Sequence, residues 1–309
     1  MPRSSTGQSQ HAREQTQSLL DPEIAVRLKS LELRARLVVE GFISGLHKSP
    51  YHGFSVEFAE HRQYMPGDPV QHVDWKVFGK TDRYYIKEFE EETNLKAQIL
   101  IDCSGSMAYG SSAVTKFDYA QTLAASLAYL MHRQRDAVGI TAFSDRIVKE
   151  LPARSALRHL HLVLRELAVL RPVDGTDIGP VLDMMAERLK RRGLIVVISD
   201  LLTEPDDVIR GLKHFCYRRH DVIVFQILDR QERDFSFPVA ARFEDMETGE
   251  ILPTLPAQIR SAYRKQMKEM TDRYRRQCLE SRIDYQLLDT SVPFSRALYA
   301  YLARRGRLY

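Results

Sequence analysis

Hard oxygen donors follow an apolar segment of this sequence at residues 95–101. Asp102, Ser104 and Ser106 stand at alternate positions after it, and Gly105 lets the chain bend between the two serines. A loop that leaves a strand can direct all three oxygens toward one point. Carboxylate and hydroxyl oxygens, without His or Cys, suit Mg²⁺ or Mn²⁺, which keep several waters when bound. The segment therefore predicts a cation site with room for an outside ligand.

Two later residues extend this set of donors. Thr176 lies in the loop 174–177, which opens a helix, and Asp200 follows the uninterrupted apolar run 194–198. In an open parallel sheet, ligands bind beyond the carboxyl ends of the strands, where the strand order reverses. Taken singly, such residues are more often turn or helix-cap residues, because Asp, Ser and Thr favour those positions. Their joint placement at strand ends favours one metal site.

Strand-like and helix-like patterns alternate from residue 94 onward. This alternation predicts an α/β fold, with an open, mostly parallel sheet and helices on both faces. The predicted strands cover 95–101, 137–143, 194–198, 222–228 and 285–288, and 146–151 is expected to pair with the second of them as a hairpin. The predicted helices cover 117–131, 157–167, 178–189, 205–219 and 257–282, and a last helix follows Pro293.

The N-terminal third of the chain differs in composition from the rest. Asp21 and Pro22 are a good helix start, and the helical spacing of apolar residues continues from there to Phe42. Residues 54–58 and 83–89 read as short strands among turns rich in Gly and Pro. We therefore predict three parts, which are a disordered tail (1–20), an N-terminal helix and β segment (21–93) and the α/β domain (94–309).

The order of the five oxygen donors resembles the metal-ion-dependent adhesion site of von Willebrand factor type A domains. The matching residues are the Asp-x-Ser-x-Ser group, a threonine in a Gly-Thr turn and a later aspartate, here Asp102, Ser104, Ser106, Thr176 and Asp200. The resemblance implies that these side chains bind Mg²⁺, or Mn²⁺ or Ca²⁺, directly or through water. It also implies that a carboxylate from a partner protein completes the octahedron. Leu201 departs from the pattern, since many members have Gly there.

An upstream segment resembles the signature of the domain-of-unknown-function-58 family. The signature residues are Arg62, Tyr64, Gly67, Asp68, Asp74, Trp75, Glu88 and Glu90. The resemblance implies association with a MoxR-type AAA+ ATPase in chaperone-like maturation of other proteins. From the residue types we predict a structural role, with Arg62, Asp68, Asp74 and Glu88 in an ion-pair network and Tyr64 and Trp75 packed beside it. A binding or catalytic role is the alternative. His72 stands where members of the family more usually have Arg.

Composition excludes several classes of protein. A net charge of +4 over 309 residues is too weak to indicate nucleic acid by itself, and 44% hydrophobic residues exclude wholesale disorder. Cys103, Cys216 and Cys278 are odd in number and far apart, which argues against a disulfide framework or a zinc site. No apolar run reaches the roughly 18 to 20 residues that span a bilayer, and residues 1–17 lack the apolar core of a signal peptide. We expect a cytoplasmic protein without a membrane span.

Three functions remain open on these observations. The leading one is a metal-dependent protein-interaction module that serves an AAA+ partner through an acidic residue of that partner. A metal-assisted hydrolase is the alternative, although no general base stands out beside the predicted site. Nucleic-acid binding through the basic helix 257–282 is the third, and a solvated basic face explains that helix as well.

Overall fold

The computed structural model of the protein describes residues 21–46, 61–63, 79, 85–87, 95–173, 175, 177–237, 241–244 and 251–306. The strands are β1 (His61–Gln63), β2 (Tyr85–Lys87), β3 (Lys96–Asp102), β4 (Ala137–Phe143), β5 (Ile147–Arg154), β6 (Leu194–Ser199), β7 (Asp221–Leu228), β8 (Ala241–Glu244), β9 (Ile251–Thr254) and β10 (Asp284–Asp289). The helices are α1 (Pro22–Val26), α2 (Leu31–Leu46), α3 (Lys116–Arg133), α4 (Leu157–Val169), α5 (Ile178–Arg188), α6 (Pro205–Tyr217), α7 (Arg230–Asp234), α8 (Pro256–Glu280) and α9 (Ser295–Arg305), and a 3₁₀ helix spans Gly105–Ala108.

A six-stranded sheet with the order β10-β7-β6-β3-β4-β5 forms the centre of the larger unit. Every neighbouring pair is parallel except the β4–β5 hairpin, which is antiparallel. The chain passes from β3 to β4 on one side and later returns to β6 on the other, so the strand order reverses at β3. This confirms the predicted α/β fold class and the predicted hairpin, and it places the switch point between β3 and β6.

Helices cover both faces of this sheet, as the buried strands require. Ile99 and Ile101 of β3 belong to the core that α2, α3, α4 and α9 cover. Leu100 belongs to the core on the opposite face, beneath α5, α6 and α8. The alternation of these three residues follows from the two-residue period of a strand. Helix α3 is buried on most of its surface because α2 packs over its outer side.

The N-terminal helix is interrupted, so the prediction of one continuous helix toward Phe42 is wrong. Helix α1 ends at Val26 and α2 begins at Leu31. The guanidinium of Arg34 donates to the carbonyls of Val26 (3.0 Å) and Leu28 (2.8 Å), which the break exposes. The hydroxyl of Ser30 accepts the amide of Leu33 and starts the second helix. These side-chain contacts satisfy backbone groups that a continuous helix would have paired internally.

The chain divides into two units, of which residues 50–94 form the smaller one. Within it, β1 and β2 are an antiparallel pair, which agrees with part of the predicted strand 83–89, whereas the predicted strand 54–58 lies outside the described residues. Helices α1 and α2 belong to the larger unit, because apolar residues of α2 share one core with α3. The structure thus groups the N-terminal helices with the α/β domain, where the sequence-based division had joined them to 43–93. The predicted tail 1–20 lies outside the described residues.

The segment between β7 and α8 contains the short helix α7 and the antiparallel pair β8–β9. Helix α8 supports it, because Arg260 donates to the carbonyls of Phe235 and Phe237. Arg260, which belongs to the basic face of α8, therefore has hydrogen-bond partners within the protein. Among the helices that the structure describes, none is both long enough and apolar enough to cross a membrane.

Candidate metal centre

Two buried carboxylates meet at the switch point of the sheet. Asp102 is the last residue of β3 and Asp200 comes directly after β6, and these strands pair in parallel with Ile101 opposite Ile198. Neighbouring parallel strands end at the same edge, so the two carboxylates lie on that edge together. Both side chains are fully buried. The proximity predicted for Asp102 and Asp200 is thus present in the structure.

The loop after β3 brings the two serines to the same place. Oδ1 of Asp102 accepts the amide of Ser104 at 2.8 Å, which turns the chain into the 3₁₀ helix. The hydroxyl oxygens of Ser104 and Ser106 are 3.1 Å apart, and Ser106 donates to Oδ2 of Asp200 at 2.8 Å. Four of the five predicted donors are therefore joined in one hydrogen-bonded group.

The spacing of these oxygens fits a small octahedral cation. Mg²⁺ binds oxygen at about 2.1 Å, so neighbouring ligands of one ion are about 3 Å apart. The Ser104–Ser106 and Ser106–Asp200 separations of 3.1 and 2.8 Å are of this size. In the part of the chain that is described, no three His, Cys, Asp or Glu side chains are grouped to hold a metal. An ion at this edge would therefore depend on the serine hydroxyls.

Asp102 has neutral hydrogen-bond donors but no cationic side chain as a partner. Its Oδ2 accepts the hydroxyl of Ser199 at 2.6 Å. No Lys, Arg or His among the described residues forms an ion pair with it. Burial, with a smaller contribution from the charge of Asp200, raises the pKa of Asp102 to about 7. A divalent cation would supply the positive charge that this buried carboxylate lacks.

Lys116 lies in the centre of the site and was not predicted. Its Nζ is 2.7 Å from Oδ2 of Asp200 and 2.8 Å from Oε1 of Glu232, and its side chain is fully buried. Burial opposes the charged ammonium, but the two carboxylates outweigh it and raise the pKa of Lys116. No local signal in the sequence marks it, because its two acidic partners, Asp200 and Glu232, follow 84 and 116 residues later in the chain.

The position after Asp200 departs from the type A pattern and has a structural explanation. Leu201 has a φ of 54°, in the left-handed region that favours glycine. Its amide donates to the Ser199 hydroxyl at 3.0 Å, and its carbonyl accepts from the hydroxyl of Tyr274 at 3.1 Å. Its side chain is buried in the core beneath α5, α6 and α8. Packing and these two bonds hold the turn that glycine would adopt more readily.

Thr176 and its neighbour Asp174 lie outside the described residues. The described residues around them lie near the same edge of the sheet, because the amide of Val173 donates to the carbonyl of Cys103 at 2.7 Å. Gly175 has a φ of 94° and lies close to the carboxylate of Asp145, where a side chain on residue 175 would be strained.

The family-signature residues belong to the smaller unit. Arg62 lies in β1, opposite Ile86 of β2. The others lie outside the described residues, so the predicted ion-pair network stays a prediction; they are Tyr64, Gly67, Asp68, Asp74, Trp75, Glu88 and Glu90.

Three histidines of the larger unit bond to groups other than the four oxygen donors. His159 bonds to the carbonyl of Val138, His214 bonds to Asp183, and His220 bonds to the carbonyl of Leu189. These contacts lie on helix faces and in loops away from the carboxyl ends of β3 and β6.

Comparisons with known proteins found one matching family profile and several relatives. A profile of the family described as "Protein of unknown function DUF58" matches residues 60–273. "Uncharacterized protein Rv1480" of Mycobacterium tuberculosis is 28% identical over 232 residues, which are 74% of this chain and 73% of that protein. "Uncharacterized protein Mb1516" of Mycobacterium bovis matches to the same extent.

Solved structures with a similar arrangement share little sequence with this chain. An aerotolerance-related membrane protein from Bacteroides fragilis is 18% identical, with 67% of this chain and 98% of that chain covered and a TM-score of 0.46. The conserved hypothetical protein BatB from Bacteroides thetaiotaomicron is 16% identical, with 69% and 98% covered and a TM-score of 0.46. The VWA domain of SpRpn10 is 14% identical, with 66% and 94% covered and a TM-score of 0.37.

Proposed function

The chain belongs to the DUF58 family, and from that premise we propose that it is a metal-dependent protein-interaction module. The bound ion would be Mg²⁺, with Mn²⁺ or Ca²⁺ as alternatives, and its ligands would be Asp102, Ser104, Ser106 and Asp200, with Thr176 as the fifth. When bound, such an ion supplies a Lewis-acidic centre with a free coordination position. An acidic side chain of a partner protein would occupy that position.

The observation that carries this proposal is the position of Ser106. Its hydroxyl lies between Ser104 and Asp200 at the separations expected for neighbouring ligands. Ser106 is also partly exposed, whereas Asp102, Ser104 and Asp200 are fully buried. A partner carboxylate would therefore approach on the Ser106 side, while the buried residues hold the ligand oxygens in place.

The remaining residues of the site fix the geometry before a partner arrives. Ser199 holds Asp102, and the amide of Leu202 holds Oδ1 of Asp200 at 3.2 Å. Lys116 holds the other oxygen of Asp200 and connects it to Glu232. Because these contacts are buried, little side-chain freedom remains to be lost when a partner binds.

We propose a MoxR-type AAA+ ATPase as the partner, in chaperone-like maturation of other proteins. This step rests on the family resemblance, and the site chemistry adds that the ATPase must present an exposed Asp or Glu. A metal-assisted hydrolase receives less support, because His159, His214 and His220 have other partners. Nucleic-acid binding through α8 receives less support too, because Arg260 and Arg264 of its basic face bond to backbone carbonyls.

The test is binding of the purified protein to a purified MoxR-type ATPase at constant Mg²⁺. Ser106→Ala removes one ligand oxygen and no charge, and the matched control Ser111→Ala alters an exposed serine of the same loop. We expect Ser106→Ala to lose binding by tenfold or more and Ser111→Ala to bind like the wild type. Equal binding by all three proteins would refute the proposal.

A further inference from the structure

A second site lies beside the metal centre, in a pocket of about 410 Å³ in the larger unit. The start of α2, the start of α3, the end of the 3₁₀ helix and the segment after α4 form its walls. None of the four described oxygen donors lines it. Its volume is within the range of about 300–1,000 Å³ that is usual for small-molecule sites.

The charged residues of this pocket are predominantly basic. Lys29, Arg34 and Arg171 face one carboxylate, that of Asp118. Asp118 already accepts from the amide and the hydroxyl of Thr115, as part of the N-terminal cap of α3. The pocket therefore carries three basic side chains and one carboxylate, and the carboxylate of Asp118 is held by the cap of α3 while its charge acts on Arg34.

Arg34 provides an independent observation, which is a buried guanidinium nitrogen without a partner among the described residues. Arg34 as a whole is only 7% exposed. Its terminal nitrogens donate to the hydroxyl of Thr122 and to two backbone carbonyls, all of them neutral groups. Its Nε has no hydrogen-bond partner among the described residues, and none of their carboxylates forms an ion pair with it. The charge of Asp118 acts on Arg34 without a direct ion pair, so burial still lowers the pKa of the guanidinium and its Nε stays unsatisfied. A buried cation that lacks a direct partner is costly, and such groups are normally paired.

We propose that this pocket binds a small organic anion. Its phosphate or carboxylate group would lie near Arg34, with Lys29 and Arg171 on the exposed side. The apolar wall, which includes Phe117 and Pro172, would pack against the body of the ligand. Phosphate and carboxylate share the chemistry that arginine recognises, so both classes of ligand are tested.

The pocket is coupled by position to the proposed interaction surface. Ala108 ends the 3₁₀ helix that contains Ser106, and Thr115 precedes Lys116; both residues line the pocket. A ligand here would contact the same loop that a partner meets at the metal centre.

The test uses the full chain, freed of divalent ions by EDTA and then dialysed into EDTA-free buffer, with pyrophosphate, citrate and inorganic phosphate as probes at matched ionic strength. EDTA removes divalent ions, so chelation by the probes cannot contribute to the signal. Calorimetric titration is expected to detect pyrophosphate or citrate binding to the wild type, and the stronger of the two identifies the ligand class. Arg171→Gln and Lys29→Gln, both exposed positions, should each weaken that binding about tenfold.

Arg191→Gln is the matched control, because Arg191 is exposed and precedes β6 at the opposite edge of the sheet. It should bind the anions like the wild type. The inference is overturned if no probe binds, or if all three variants weaken binding equally. A parallel titration of the same proteins with Mg²⁺ separates the two sites. Mg²⁺ binding without anion binding refutes only the pocket, and anion binding without Mg²⁺ binding refutes only the metal-dependent function.

Discussion

The Nζ atom of Lys116 lies 2.7 Å from Oδ2 of Asp200, and both side chains are fully buried. The same oxygen accepts the hydroxyl of Ser106 at 2.8 Å. The ammonium thus contacts an oxygen that the proposed ion would also use. Asp102, by contrast, has no cationic partner among the described residues. The site therefore has one internal cation for its two aspartates, and it has Glu232 as a third carboxylate.

Lys116→Met should raise the affinity for Mg²⁺. The substitution leaves Asp102, Asp200 and Glu232 without an internal cation, so a divalent ion has less competition for Asp200. The metal-free variant should lose about 3–5 kcal/mol of unfolding free energy, the cost of breaking a buried ion pair. Calorimetric titration with Mg²⁺ and urea unfolding with and without Mg²⁺ measure both effects.

The matched control for this experiment is Lys213→Met. Lys213 is exposed on α6 and bonds to Gln277. Lys213→Met therefore removes the same charge as Lys116→Met, but far from the site. Its Mg²⁺ affinity should equal that of the wild type. An unchanged affinity in Lys116→Met would show that the ammonium and the ion do not share Asp200.

Ser199→Ala should destabilise the metal-free protein by about 1–3 kcal/mol, because the buried carboxylate of Asp102 loses its 2.6 Å hydrogen bond. The amide of Leu201 loses its bond to the same hydroxyl. Urea unfolding measures the change. Ser126→Ala is the control, since this serine is equally buried but donates to a neutral carbonyl of its own helix. An equal loss of stability in Ser126→Ala and Ser199→Ala would contradict a particular role of the Ser199 hydroxyl toward Asp102.

At residue 201, glycine should be tolerated better than alanine. Both Leu201→Ala and Leu201→Gly remove a buried side chain and should cost about 2–5 kcal/mol. The left-handed φ of 54° adds about 1 kcal/mol of strain for alanine and none for glycine. We therefore expect the glycine variant to unfold at a higher urea concentration than the alanine variant. The opposite order would mean that the turn relaxes when the leucine side chain is removed.

Asp136 should make the free energy of unfolding fall as the pH rises, which is unusual for a carboxyl group. Burial raises the pKa of this carboxyl above its usual value of 3.8, although Arg305, at 3.0 Å, opposes the shift. The folded state therefore binds the proton more tightly than the unfolded state, and this residue's contribution to stability falls as the pH rises above about 3.8. Urea unfolding between pH 4 and pH 6 should show a steeper decline for the wild type than for Asp136→Asn. Parallel curves would contradict the shifted pKa.

The sheet and the meeting of Asp102 with Asp200 could be predicted because they follow from local patterns. Residues 194–198 are apolar without interruption and residues 95–101 are apolar except for Lys96 and Gln98, which is typical of central parallel strands. Polar residues directly after such strands must lie at the same sheet edge. The hairpin of β4 with β5 (Ile147–Arg154) was also predictable from the local sequence. The turn between these two strands is short, so the second strand must fold back beside the first.

Other features depend on contacts between residues far apart in sequence. Lys116 reads as an exposed helix residue, and only the fold brings Glu232 from α7 to it. The interruption between α1 and α2 is hidden because the apolar spacing continues through it. Arg34 of α2 holds it by donating to the carbonyls of Val26 and Leu28. The β8–β9 pair is too short to be distinguished from turns rich in Pro and Gly.

The most direct measurement of the central claim is a calorimetric titration of EDTA-treated protein with Mg²⁺. Wild type is compared with the double variant Ser104→Ala/Ser106→Ala, which removes two ligand hydroxyls and leaves Asp102, Asp200 and Lys116 unchanged. We predict one Mg²⁺ per chain in the wild type and an affinity at least about tenfold weaker in the double variant. Absence of Mg²⁺ binding by the wild type, or equal affinity in both proteins, would contradict a metal centre at this edge of the sheet.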